Sequence, residues 1–282
     1  MSKKLTALTE SSQGIPRHEI EALICHYGRM SRLEFFTHEK ILSASAKAAV
    51  SRALQKRRRG IPLAYVTKKA PFWGHEFFVQ PGALIPRPET ERLVEEVLGV
   101  LKADFSGKKP EILDLGTGSG CIAVCLTLEW PACKMTALDT SLKALEIARK
   151  NIELFGLGQK IRLVHSQLFE SVGVKIPAWD IIVSNPPYVP SGELPGLSRE
   201  VRNEPVTALD GGYDGLDIVN EILEQAPRYL KPGGSILMEI GDNQSKKLAT
   251  KWGKRTEYES FRFEKDLNGI KRILIARKKA KS

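Results

Sequence analysis

The sequence predicts an α/β protein. A doubly wound, mainly parallel sheet follows a small N-terminal helical domain, and a β-hairpin linker joins them. Three observations carry this expectation. From Glu111 onward, short apolar runs alternate with amphipathic stretches, the pattern of a sheet covered by helices on both faces. Residues 17–59 show helical spacing without strand-like alternation. Between these regions, residues 63–88 carry an aromatic, strand-like run bounded by turn formers. The implied organisation is a helical domain over 1–62, a hairpin linker over 63–88 and an α/β domain over 89–282.

In chain order, Ile20, Leu23, Ile24 and Tyr27 recur on one helical face, and Gly28 offers a stop. Ser31 to Phe36 reads as a short second helix. Ser43 to Arg59, rich in Ala, Lys and Arg, makes a third, closed by Gly60-Ile61-Pro62. Phe72 to Val79, flanked by Pro71 and Pro81-Gly82, predicts the hairpin. Pro86-Arg87-Pro88-Glu89-Thr90-Glu91 opens a helix to about Lys102, with proline in the first turn and carboxylates at the positive end of the dipole. Strands are expected near 111–115, 134–139, 160–165, 179–184, 234–240, 256–263 and 270–277. Helices are expected near 119–129, 141–155, 216–230 and 243–252.

At 282 residues, with 42% hydrophobic and 27% charged residues, the chain can bury one large core and one small one. No apolar run approaches the ~20 residues of a membrane span, and Met1-Ser2-Lys3-Lys4-Leu5 lacks the apolar segment of a leader. Cys25, Cys121, Cys125 and Cys133 form no Cys-x-x-Cys pair, so reduced, buried thiols and a cytoplasmic location are expected. His75 and His165 have no partner at ligand spacing, and no metal is expected. The net charge of +10 is uneven: residues 1–80 contribute +8, residues 270–282 contribute +6, and the centre is mildly acidic. The basic ends, including Arg57-Arg58-Arg59, serve either solubility or a phosphate-bearing or acidic partner.

Two motifs carry chemistry. Ile112-Leu113-Asp114-Leu115 leads into Gly116-Thr117-Gly118-Ser119-Gly120 and then a helix. This is Gly-x-Gly-x-Gly rather than the Gly-x-Gly-x-x-Gly of dinucleotide binders, which weakens a dehydrogenase reading. Asp139 ends the next strand, 23 residues beyond Gly116, where a carboxylate accepts from ribose hydroxyls. The run Trp179 to Ser184 then ends in Asn185-Pro186-Pro187-Tyr188. Two prolines remove two N–H donors and hold the chain extended. They leave a ledge with an amide, carbonyls and an aromatic ring, suited to a planar –NH2 group. In a doubly wound sheet these three strand ends open on one crevice. That arrangement suggests methyl transfer from S-adenosylmethionine to nitrogen.

Asp114 to Gly120 together with Asn185 to Tyr188 resembles a class I, Rossmann-like methyltransferase acting on a planar amino group. Several further stretches narrow the match. They are Ile85 to Glu91, Pro62 to Tyr65 with Phe72-Trp73-Gly74, and Glu204-Pro205 with Ala208 to Leu216. With these, residues 15–277 resemble the peptide chain release factor glutamine methyltransferases (the HemK/PrmC family). The resemblance implies transfer to the side-chain nitrogen (N5) of glutamine in the Gly-Gly-Gln motif of class-1 release factors, with S-adenosylhomocysteine as the other product. It implies that Gly116, Thr117, Gly118, Ser119 and Gly120 wrap the cofactor, that Asp139 holds its ribose, and that residues 167–169, Leu168 among them, border its adenine. Asn185, which also borders the cofactor, would act with Pro186 in catalysis, and Pro187 and Tyr188 would complete the grip on the glutamine. Gln167 stands where relatives often carry an acidic residue, and its side-chain oxygen can still accept from the adenine amino group.

An amide nitrogen is a poor nucleophile because its lone pair is delocalised into the carbonyl. The expected work of the site is therefore positioning: Asn185 and the Pro186 carbonyl accept the two N–H groups and aim the nitrogen at the methyl. Arg87, between two prolines, reads equally as a surface turn residue or a lid contact to cofactor or substrate. Two other readings share some features. An exocyclic-amine methyltransferase acting on adenine or cytosine in DNA or RNA would use the same ledge on a flipped base. A nucleic-acid or ribosome-binding front domain with a passive cofactor sensor would use the basic charge. The expected partners are class-1 release factors, with no stable nucleic-acid complex, no membrane and a monomeric chain.

Overall fold

A computed structural model describes residues 14–37, 42–171, 178–266 and 268–280. The first thirteen residues, read above for a leader, lie outside that set, as does Lys281 of the basic tail. The chain divides into two compact units, Met1–Lys69 with Ser198–Asn203 and Ala70–Leu197 with Glu204–Ser282.

The first unit holds helices α1 (Arg17–Gly28), α2 (Arg32–Thr37), α3 (Ala44–Arg58) and α4 (Leu63–Thr67). Each boundary has a local cause. Arg29 closes α1 in the left-handed region at φ 47°. Ser31 and Glu34 exchange backbone-to-side-chain bonds of 3.1 and 2.7 Å as a capping box for α2. The Ser43 hydroxyl caps α3 through Ala46 N at 3.1 Å. Leu23, Ile24, Val50 and Leu54 are fully buried between these helices. The basic run at 57–59 is not a uniform surface. Arg57 is buried, donating from Nε and Nη2 to Glu19 at 2.7 and 2.9 Å and from Nη2 to Glu200 at 2.7 Å. Its charge is consumed inside the unit, and only Arg58 and Arg59 are exposed. The single-turn helix α4 stands where the sequence suggested the start of a linker, opened by Pro62 and closed by Lys68 at φ 59°.

The second unit begins with the hairpin β1 (Lys69–Phe72) and β2 (His75–Phe78). Trp73 and Gly74, at φ 51° and 70°, form a two-residue turn of the type that matches strand twist. Helix α5 (Pro88–Asp104) follows, with Pro88 in its first turn. Then come β3 (Glu111–Leu115), α6 (Cys121–Glu129), β4 (Lys134–Asp139), α7 (Leu142–Leu154), β5 (Ile161–His165), β6 (Trp179–Ser184), α8 (Asp217–Tyr229), β7 (Leu230–Glu239), α9 (Ser245–Trp252), β8 (Tyr258–Lys265) and β9 (Lys271–Lys278).

The sheet order is β5-β4-β3-β6-β7-β9-β8. The first five strands are parallel, and β9 and β8 add antiparallel to the edge. The chain winds outward from β3 through β4 and β5, then crosses to β6 on the other side of β3. The crevice between the ends of β3 and β6 is thus a topological switch point. Alternating residues feed two cores. Ile112, Ile181, Val183 and Leu237 meet Leu93 and Val97 of α5 and Ile122 and Leu126 of α6. Leu113, Ile182, Ile236 and Met238 meet Val219, Ile222 and Leu223 of α8 and Leu248 of α9. Strand β7 starts four residues before the expected Gly234, because Leu230 pairs with Trp179 across an irregular register. The short 3-10 turns at Ser191–Gly196, Val201–Asn203 and Val206–Ala208 had no periodic signal. All four cysteines are free, and three are buried; Cys25 is half-buried, not buried as expected. No helix among the described residues is long and apolar enough to cross a membrane.

Candidate active site

The C-terminal ends of β3, β4, β5 and β6 surround a cleft of ≈ 320 Å³ in the second unit. At the end of β3, Gly116 and Gly118 take φ 71° and 56°, so the backbone turns up along the cleft wall. A Cβ on Gly116 would meet nothing within 4 Å, and one on Gly118 only the Gly116 carbonyl at 3.9 Å. Both positions therefore face open space, a cradle for a ligand rather than a packed turn. Thr117 pins the loop: its N–H donates to the Leu138 carbonyl at 2.8 Å and its hydroxyl to Asp114 Oδ2 at 2.6 Å. Burial pushes the Asp114 carboxyl up to about 7, against the Thr117 bond and with help from the nearby Asp139 charge.

Gly120 differs from its neighbours. It caps α6 at φ 81°, and a Cβ there would lie 3.2 Å from Ala148 Cβ on α7. It does not line the cleft. Its placement is that of a helix-packing glycine.

Asp139 ends β4 on the cleft wall. Its Oδ2 accepts from Gly118 N at 2.9 Å and its Oδ1 from Ser141 N at 2.8 Å. Each oxygen keeps a further lone pair for a ligand hydroxyl. Burial raises its pKa, opposed by these backbone donors. After β5, Ser166, Gln167 and Leu168 supply the next wall. Leu168 takes φ 43°, held by Ser166 Oγ, which donates to its carbonyl at 3.0 Å.

At the end of β6, Asn185, Pro186 and Pro187 line the cleft. Ser184 Oγ donates to the Leu115 carbonyl at 2.8 Å, tying the ledge to the glycine loop. Asn185 Nδ2 donates to Thr90 Oγ1 at 2.9 Å, which leaves Oδ1 as the free acceptor. Tyr188 does not reach the cleft wall. Its hydroxyl turns inward to Glu239 Oε1 at 2.9 Å, and burial raises its pKa. The expected packing on the substrate amide is thus replaced by an anchor beneath the ledge. Gln244 completes that anchor, donating to the Tyr188 carbonyl at 2.9 Å while Oε1 accepts from Gly241 N at 2.7 Å.

Several lining residues had no settled role in the sequence. Arg87, with its two alternative readings, lines the cleft and pairs with buried Glu204, whose Oε2 accepts from Ile85 N at 2.9 Å. Thr90 also lines the cleft. Pro205, Thr207, Ala208, Ile218 and Ile222 line it too. Glu239 had a legible signal: a carboxylate ending the apolar run Ile236-Leu237-Met238.

Known proteins resemble the chain along nearly all of its length. Residues 5–67 match the PrmC N-terminal domain and residues 95–196 the methyltransferase small domain. The release factor glutamine methyltransferase of Koribacter versatilis is 38% identical over 265 residues, 93% of this chain and 91% of that one. That of Geobacter sulfurreducens is 36% identical over 272 residues, 96% of this chain and 92% of that one. The chain belongs to the release factor glutamine methyltransferase family. Among solved structures, a T. thermophilus 16S rRNA methyltransferase (RsmC) in complex with AdoMet and guanosine aligns with TM-score 0.53 at 22% identity, over 75% of this chain and 50% of that one. A methyltransferase from Pyrococcus furiosus aligns with TM-score 0.51 at 20% identity, over 84% of this chain and all of that one. These two likenesses establish the class I methyltransferase fold of the family member described here.

Proposed function

We propose that this protein transfers a methyl group from S-adenosylmethionine to the side-chain nitrogen (N5) of the glutamine in the Gly-Gly-Gln motif of class-1 release factors, supporting translation termination. The observation that carries this reading is the convergence, in a chain of this family, of Gly116–Ser119, Asp139 and Asn185–Pro187 on one cleft. The open glycine cradle and the buried Asp139 suit the cofactor. Gly116 to Ser119 would hold its methionine and ribose, Asp139 would accept from its ribose hydroxyls, and Leu168 would border its adenine. Gly120 contributes through packing. When bound, S-adenosylmethionine supplies an electrophilic methyl on a sulfonium.

The chain's residues supply position. Asn185 Oδ1 and the Pro186 carbonyl accept the two N–H groups of the glutamine carboxamide. Accepting both hydrogens pulls the nitrogen toward a pyramidal shape and directs its lone pair into the cleft. Pro187 has no N–H to compete for those acceptors. Tyr188 holds the ledge from below. No strong base is needed, because taking the methyl leaves the amide nitrogen cationic, and that cation loses its extra proton readily to water. The N-terminal helical domain, residues 1–62, docks the body of the release factor. The protein acts as a cytoplasmic monomer.

Mass spectrometry of a release factor incubated with the protein and S-adenosylmethionine tests the reading. A gain of one methyl on the Gly-Gly-Gln glutamine is expected, and an unmodified peptide refutes the assignment. Asn185→Ala should abolish the gain while S-adenosylhomocysteine still binds.

A further inference from the structure

The side-chain amide of Asn185 has two ends of nearly equal shape, and sterics alone do not choose between them. The site needs a choice. With oxygen toward the cleft, the ledge accepts an N–H from a carboxamide. With nitrogen toward the cleft, it presents a donor, and a substrate –NH2 loses its acceptor.

We propose that Thr90 and Glu239 are positioning residues, forming a hydrogen-bond chain that fixes the Asn185 amide with its oxygen toward the cleft. The argument is a count of protons. A hydroxyl carries one proton. That of Thr90 is given to Glu239 Oε2 at 2.7 Å. Toward Asn185, Thr90 Oγ1 therefore offers only lone pairs, and at 2.9 Å it must be met by Nδ2. Glu239 as a carboxylate is acceptor-only, and its other oxygen takes the Tyr188 hydroxyl proton at 2.9 Å. One carboxylate thus polarises both Asn185, through Thr90, and Tyr188, directly. The two ends of Asn185-Pro186-Pro187-Tyr188 are tied to the same point.

The fold brings the chain together from three elements. Thr90 sits in the first turn of α5, Asn185 follows β6, and Glu239 is the last residue of the adjacent parallel strand β7. Thr90 is 3% and Glu239 1% exposed. A buried carboxylate is costly unless well bonded. Burial raises the pKa of Glu239, while Thr90, Tyr188 and the charge of Arg272 act in the opposite direction. The consequence is specificity: an acceptor-presenting ledge welcomes a carboxamide and repels the carboxylate of glutamate in its place.

This inference rests on the reading of Asn185 as the substrate acceptor, so the test separates the two. Full-length protein is assayed with release factor and S-adenosylmethionine for Asn185→Ala, Thr90→Val, Thr90→Ser and Glu239→Gln, with melting temperature followed for each. Thr90→Val keeps the shape and removes the hydroxyl. It should lower kcat by about tenfold or more, the worth of one polar contact, with KM for S-adenosylmethionine unchanged within about twofold. Thr90→Ser should restore the rate. Glu239→Gln should also lose rate, because its amide can donate to Thr90 and release the hydroxyl proton toward Asn185. In 15N spectra without substrate, the Asn185 side-chain amide protons should exchange slowly in the parent and fast in Thr90→Val.

If Asn185→Ala is inactive while Thr90→Val keeps kcat within about twofold, the inference fails and the assigned function stands. A normally active Asn185→Ala overturns both. A rate that falls only in step with melting temperature and cofactor affinity reduces Thr90 to a structural role and also overturns the inference. Where Thr90→Val does not fold, Thr90→Ala and Glu239→Gln read the same outcomes.

Discussion

Gly118 and Gly120 stand two residues apart in one loop, and the structure assigns them opposite kinds of sensitivity. Both have positive φ, 56° and 81°, so alanine at either costs about 1 kcal/mol in backbone strain. The surroundings then separate them. A Cβ on Gly118 has only the Gly116 carbonyl at 3.9 Å, on the cleft wall. A Cβ on Gly120 meets Ala148 Cβ at 3.2 Å and Ala148 Cα at 3.3 Å, and Ala148 is fully buried in α7. Relief requires α6 and α7 to move apart, an overpacking cost of about 1–3 kcal/mol. Gly120→Ala should therefore lose about 2–4 kcal/mol in all, a melting decrease of about 5–15 °C for a domain of this size. Gly118→Ala should lose only the strain, about 2–4 °C, but bind S-adenosylhomocysteine about tenfold or more weakly, since its methyl group points into the cradle. Thermal and urea unfolding give the first quantity. Calorimetric titration, well below both melts, gives the second. The reasoning is refuted if Gly120→Ala melts with the parent while losing cofactor affinity, because Gly120 would then contact the ligand rather than α7.

Three further outcomes follow from buried polar groups. Arg57→Ala leaves the half-buried Glu19 without its bidentate partner, and should destabilise the first unit by about 1–3 kcal/mol in denaturant unfolding. Tyr188→Phe removes one donor to Glu239 and should cost about 1–2 kcal/mol in stability, while S-adenosylhomocysteine affinity stays unchanged because Tyr188 does not line the cleft. Asp114→Asn should alter the pH profile of stability. Burial pushes the Asp114 carboxyl from the usual range near 4 up to about 7. A raised folded pKa means that its contribution is full below the ordinary carboxylate range and is lost as pH rises through about 7. Denaturation midpoints from pH 4 to 8 should show the parent falling relative to Asp114→Asn by about 1 kcal/mol or more, then running parallel; a constant difference across the range contradicts the assignment.

The sheet strands and most helices were legible because each obeys a local rule. Apolar alternation marked β3 to β6, and Pro88 with its acidic neighbours marked the start of α5. Helix α4 and the 3-10 turns near 191–208 escaped because a single turn has no period to read. The cleft was legible because strand ends in a doubly wound sheet converge, so Gly116, Asp139 and Asn185 could be placed together from their positions at those ends.

By itself, the sequence determined the fold class, the methyl-transfer chemistry and, through the extended resemblance, the family. These depend on local patterns and on the order of strands along the chain. The tertiary structure alone decided which residues of each motif face the cleft. It turned Tyr188 inward and set Gly120 against α7. It also buried Arg57 beside Glu19 and brought Thr90 and Glu239, 149 positions apart, into one hydrogen bond behind Asn185. The physical reason is that the direction of a side chain and the partner of its proton are set by elements remote in sequence, and no local pattern records them.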